Sequence, residues 1–149
     1  MRPRHVLTLT LLAAIPVVLA LALTGGGGGT VPGGARLAQL SFELVGGSKA
    51  ATVVACGNTH HYQAYSAQAT IAFDGTISPP GKWSVAVKLK ACYGGAFRSS
   101  GSIPAKVSSN GSFSGSFPAP IGGSYFARAE LKRGGAQVTR SAKRYFEVR

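Results

Sequence analysis

A period-two alternation of apolar and polar residues constrains this chain more than any other feature. Ile71, Phe73, Gly75 and Ile77 alternate with Thr70, Ala72, Asp74 and Thr76, and Trp83, Val85, Val87, Leu89 and Ala91 alternate with Lys82, Ser84, Ala86, Lys88 and Lys90. Phe113, Gly115 and Phe117 alternate with Ser112, Ser114 and Ser116, and Tyr125, Ala127, Ala129 and Leu131 with Phe126, Arg128, Glu130 and Lys132. Successive side chains of a strand point to opposite faces, so each segment reads as a strand with one buried face. Ser78-Pro79-Pro80-Gly81, Ser109-Asn110-Gly111, Pro118 to Gly123 and Arg133-Gly134-Gly135 supply the chain reversals between them. Shorter candidates are Leu40 to Val45, Ala51 to Ala55, His60 to Tyr65, Phe97 to Val107 with a break near Pro104, and Lys143 to Val148. So many half-apolar strands without a convincing helix predict an all-β, antiparallel β-sandwich of seven to nine strands, two sheets sharing one core. The parity of Trp83 places it in that core.

Residues 36–149 carry this pattern. Ahead of them, Met1-Arg2-Pro3-Arg4-His5 precedes an apolar run from Val6 to Thr24 that ends in small residues, Ala20-Leu21-Ala22. Basic start, apolar stretch and small residues are the parts of a secretory signal, so residues 1–24 read as a signal helix cleaved after Ala22, with an uncleaved signal anchor as the alternative. Gly25 to Gly29 and the following Thr30-Val31-Pro32-Gly33-Gly34 have almost nothing to bury, and residues 25–35 read as a flexible linker. Both readings place the remainder outside the membrane.

The strand ending Phe73-Asp74-Gly75-Thr76-Ile77-Ser78-Pro79, then Trp83-Ser84-Val85-Ala86-Val87-Lys88-Leu89, Asn110-Gly111-Ser112-Phe113-Ser114-Gly115-Ser116-Phe117 and Gly123-Ser124-Tyr125-Phe126-Ala127-Arg128-Ala129 carry a resemblance. From Tyr65 onward the chain resembles the immunoglobulin-like, fibronectin III-like modules of secreted and surface proteins from high-GC Gram-positive bacteria. The resemblance implies a spacer or binding module and carries over no catalytic residue.

Cys56 and Cys92 are the only cysteines. In an oxidising compartment they are expected to pair. Cys92 shares the parity of Lys88 and Lys90, so the bond would staple the segment before His60 to the outward face of the tryptophan strand rather than cross the core. His60 and His61, adjacent on a strand, point to opposite faces and do not suit one metal ion. The carboxylates of the exported part, Glu43, Asp74, Glu130 and Glu147, are scattered, so no acid–base pair, metal site or cofactor is expected.

Charge points toward a partner. Of 16 basic and 4 acidic residues, the leader holds Arg2 and Arg4, which leaves 14 against 4, a net charge of +10. Arg128, Lys132, Arg133, Arg140, Lys143 and Arg144 gather near the C-terminus and predict a polyanion-binding basic edge, suited to anionic wall polymer, a membrane surface or extracellular polysaccharide. Nucleic acid is disfavoured, because the aromatics alternate toward the core rather than between the cations. The expectation is a non-enzymatic, secreted or surface-tethered module that binds envelope components. The alternatives are a carbohydrate-binding module using Tyr62, Tyr65 and Tyr93, and an accessory domain of an extracellular enzyme system.

Overall fold

The computed structural model describes residues 37–149. The expected signal helix and the whole of the linker, residues 25–35, lie outside the described residues. Within these bounds the protein is all-β: eleven strands and no helix. They are β1 (Gln39–Leu40), β2 (Glu43–Val45), β3 (Ser48–Ala55), β4 (Asn58–Tyr65), β5 (Thr70–Ser78), β6 (Ser84–Tyr93), β7 (Ala96–Val107), β8 (Ser112–Pro118), β9 (Gly123–Arg133), β10 (Ala136–Arg140) and β11 (Arg144–Val148).

The strands join in the order β1-β5-β8-β7-β6-β9-β11-β4-β3, with β2 on β5 and β10 on β9. All pairings are antiparallel except β11 with β4, so the sheet is mixed. It curls because β7 serves two neighbours. Ala96 to Ala105 pair with β6, while Lys106 and Val107 pair with Ser114 and Phe113 of β8. The expected break near Pro104 is absent: β7 has β6 as its only partner at that point, and an edge position tolerates a residue with no N–H to donate.

Curling brings β2, β5 and β8 over β6, β9 and β11. The core between them contains Phe42, Ile71, Phe73, Phe113, Val87, Leu131 and Phe146, all essentially inaccessible. Phe117 of β8 meets Phe146 of β11 with ring centroids 6.0 Å apart, a contact between the two halves. The inward parity read for β5, β6 and β8 holds, with burial alternating residue by residue. Trp83 is corrected only in part, since it packs against the core but is half-buried rather than enclosed. β6 begins at Ser84, and the half-buried indole lies at the rim, its Nε1 donating to the Pro79 carbonyl at 3.1 Å and the Arg133 guanidinium 5.4 Å from its centroid.

Two further differences have local causes. The stretch from Leu40 to Val45 splits because Ser41 leaves the ladder, yet its N–H still donates to the Thr76 carbonyl at 2.9 Å. β10 follows a two-residue turn in which Gly134 and Gly135 both have positive φ, 57° and 84°, the conformation that turns a hairpin tightly.

The β3–β4 hairpin determines what the outer face can do. β4 pairs with β11 only from Gln63 to Tyr65. Continuing that register would carry Cys56 away from Tyr93, toward the end of β9 that holds Lys132. Instead Cys56 is bonded to Cys92 on β6, three strands away, with Cα atoms 5.7 Å apart. The hairpin is therefore an arm laid across the outer face of β11 and β9. The expected disulfide is present in the place its parity predicted, on the outward side of β6.

Candidate functional site

Cross-strand register determines which cations share a surface. On β9, Phe126, Arg128, Glu130 and Lys132 face outward, opposite Lys90, Lys88, Ala86 and Ser84 of β6. Lys88 and Arg128 are thus directly opposed, with Lys90 and Lys132 on the same face. Like charges opposed across strands repel, which favours an anion over them. Lys88 Nζ donates to Ser102 Oγ of β7 at 2.9 Å, which fixes its ammonium on the sheet rather than in bulk solvent.

One carboxylate lies within this face. Glu130 keeps its outward parity yet is only 7 % exposed, because Arg128 and Arg140 enclose it at 3.8 and 3.2 Å. Arg140 sits opposite Glu130 on β10 and also bonds Gln137 Oε1 through its Nε at 2.9 Å. Lys143 completes the group from the segment before β11, its Nζ 4.8 Å from the Phe126 ring centroid.

Phe126 was expected on the solvated side of β9 and is instead 3 % exposed. The arm covers it. His60 stacks on Tyr145 with centroids 3.7 Å apart, Phe97 meets Phe126 edge-on at 5.0 Å, and Tyr62 packs against Tyr145 at 5.7 Å. These rings form a second, smaller apolar cluster on the opposite side of the sheet from the main core. The Tyr62 hydroxyl ends near Ser124 without closing a hydrogen bond of ordinary geometry. Burial raises the pKa of Tyr62 and Tyr145, so both stay neutral hydroxyls through and above the physiological range.

Four of the six expected basic residues, Arg128, Lys132, Arg140 and Lys143, therefore belong to one side of the molecule. Arg133 and Arg144 do not. Arg133 lies at the β9–β10 turn over Trp83. Arg144 has the inward parity of Ala127, its partner on β9, and reaches the opposite half, where Nε donates to the Phe42 carbonyl at 3.0 Å and the guanidinium pairs with Glu43. Lys88 and Lys90 were missed as site residues, although their outward parity was visible. Their position opposite β9 depends on which strands become neighbours, and single-strand periodicity does not carry that information.

The tyrosines expected to form an exposed aromatic group are not brought together. Tyr62 is buried on the underside of the arm, against Tyr145, and Tyr65 lies in the main core, its hydroxyl donating to the carbonyls of Val45 and Gly46 at 3.2 and 3.1 Å. Tyr93 alone is open, at 75 % exposure beside Cys92. The reason is parity: positions 62 and 65 fall on opposite faces of β4, and each face is covered. His60 and His61 also separate. His61 is exposed, with Nδ1 3.2 Å from Thr52 Oγ1. Among the described residues, no three His, Cys, Asp or Glu side chains converge as metal ligands would. Comparison with models of known protein families gives no match, and neither does comparison with curated proteins.

Proposed function

We propose that residues 36–149 form a non-enzymatic immunoglobulin-like module of an exported or surface-tethered protein, which holds anionic wall polymer on the outer face of β6 and β9. The observation that carries this reading is the opposition of Lys88 and Arg128, flanked by Lys90 and Lys132, around a carboxylate already enclosed by arginines. A polyanion laid over this face would neutralise the cross-strand repulsion without displacing a competing acidic group. Export is supported by the disulfide, which persists in oxidising compartments. The immunoglobulin-like assignment is supported by the neighbours β2-β5-β8 on one side of the core and β7-β6-β9-β11 on the other.

Wall polymer is favoured over nucleic acid because the rings beside the cations are packed against one another under the arm. Among the described residues, Tyr93 is the only exposed Phe, Tyr or Trp ring, short of the row of platforms on which successive bases stack. The test replaces Lys88, Lys90, Arg128 and Lys132 together by Gln and measures retention on immobilised phosphate-containing wall polymer. Wild-type protein is expected to be retained at low salt and released as ionic strength approaches about 0.15 M, where screening acts within about 8 Å. The variant is expected to flow through while melting cooperatively. Equal retention of the variant, or its loss on neutralising Arg133 and Arg144 alone, would overturn the assignment.

A further inference from the structure

Asp74 is the exception among the carboxylates of the described residues. Glu43 pairs with Arg144, Glu130 with Arg128 and Arg140, and Glu147 with Arg149, whereas Asp74 has no cation within salt-bridge distance. It stands on the outward face of β5, opposite Ser114 of β8 and Glu43 of β2. Apart from Glu43, and Lys106 on the far side of Ser114, its surroundings are hydroxyls. A shallow cavity of about 340 Å³ is lined by Asp74 together with Ser41, Thr76, Ser108, Ser112 and Ser114. That volume lies at the small end of ligand sites, roughly 300–1,000 Å³, and suits a single sugar ring.

The rim is held in place by backbone. Ser41 N–H donates to the Thr76 carbonyl, and Ser41 Oγ accepts from the Thr76 N–H, both at 2.9 Å. On the other side, Ser108 N–H donates to the Ser112 carbonyl at 2.8 Å, and Asn110 Oδ1 accepts from both the N–H and the hydroxyl of Ser112, at 2.9 and 2.7 Å. The hydroxyl-bearing residues around Asp74 are thereby anchored before any ligand arrives.

We propose that this cavity binds a neutral sugar residue, with the Asp74 carboxylate accepting hydrogen bonds from two neighbouring ligand hydroxyls and the serine and threonine hydroxyls completing the contacts. A carboxylate accepts through two oxygens and is matched by a vicinal diol. A cationic ligand is the competing partner for a lone carboxylate, and the net positive field of the molecule works against it. The site lies on the half of the sheet opposite the basic face, so it is independent of polyanion binding and supplies a second contact to a surface glycan. The one ring in the lining, Phe113, is buried and offers no stacking platform, so affinity for one sugar is expected in the millimolar range, as suits a repeated ligand bound many times over.

The test titrates the full chain with methyl glucoside, methyl mannoside and N-acetylglucosamine and follows backbone amide shifts. At least one sugar is expected to move the amides of Gly75, Thr76, Ser112 and Ser114 with saturation. Asp74→Asn, which retains size at an exposed position, is expected to weaken binding about tenfold or more, since a charge-assisted hydrogen bond is lost. Ser114→Ala is expected to weaken it less. No saturable shift, a shift centred elsewhere, binding indifferent to Asp74→Asn, or a response to calcium without a response to sugar would each overturn the proposal. Retention on wall polymer should be unchanged by Asp74→Asn, which separates failure of this site from failure of the basic face.

Discussion

Phe73 and Phe113 each fill the space over a glycine on the neighbouring strand. Phe113 is paired with Gly75, and Phe73 with Gly115. A Cβ on Gly75 would run into the Phe113 ring and the Ser41 carbonyl oxygen, and one on Gly115 into the Phe73 ring. Both glycines are therefore there for close approach rather than for an unusual backbone angle, and the reciprocal ring-over-glycine pairs fix the register of β5 on β8. Gly75→Ala is expected to destabilise the domain by about 1–3 kcal/mol, the cost of forcing volume into a packed core. Thermal unfolding should show a midpoint lowered by roughly 4 °C or more; an unchanged midpoint would mean that the rings move aside freely. The inward parity of Phe73, Gly75, Phe113 and Gly115 was legible in the sequence, but the pairs were not, since they depend on β5 and β8 becoming neighbours. Phe126 was not legible, because its own parity is outward and what packs on it, Phe97 of β7 and Tyr145 of β11, comes from other strands.

The β3–β4 arm is held by a disulfide at its tip, three residue pairs to β11 at its base, and the ring cluster between. The pairing of Cys56 with Cys92 and the outward parity of Cys92 could be read from the chain; the crossing of the arm over β9 could not, since it depends on where β4 leaves β11. Cutting the latch with Cys92→Ser should release loop-closure entropy across a separation of 36 residues, lowering stability by about 3–4 kcal/mol in the chain-entropy model. Hydrogen exchange should localise the change: amides from Thr59 to Tyr62 are expected to exchange faster than those of β5 and β8, relative to wild type. Uniform acceleration would show that the arm is no separate unit. The strands themselves were mostly legible, because alternation and turn residues mark them. β10 escaped because Gln137, Val138 and Thr139 are too few and too exposed to show a period, although the double glycine before them was a hairpin signal.

At the level of the whole molecule, the all-β class and a net positive charge are legible in the sequence, which gathers Arg128, Lys132, Arg133, Arg140, Lys143 and Arg144 into one C-terminal basic edge. Folding sorts them: Arg144 ties the halves together through Glu43 and the Phe42 carbonyl, Arg133 covers Trp83, and Lys88 and Lys90 join Arg128 and Lys132. Charge that is linear in sequence becomes a face only after β6 and β9 are neighbours, a pairing separated by nearly the full length of β7 and β8. The central claim is that this one face, and not net charge, holds the polyanion. The most direct measurement is a titration with inorganic polyphosphate followed by per-residue amide shifts at low salt and again at about 0.15 M, where attraction beyond about 8 Å is screened. The account predicts shifts concentrated around Lys88, Lys90, Arg128 and Lys132 that shrink steeply at the higher salt, with Arg133 and Arg144 little affected. Shifts spread evenly over every exposed cation, centred on the β9–β10 turn, or insensitive to salt would contradict it.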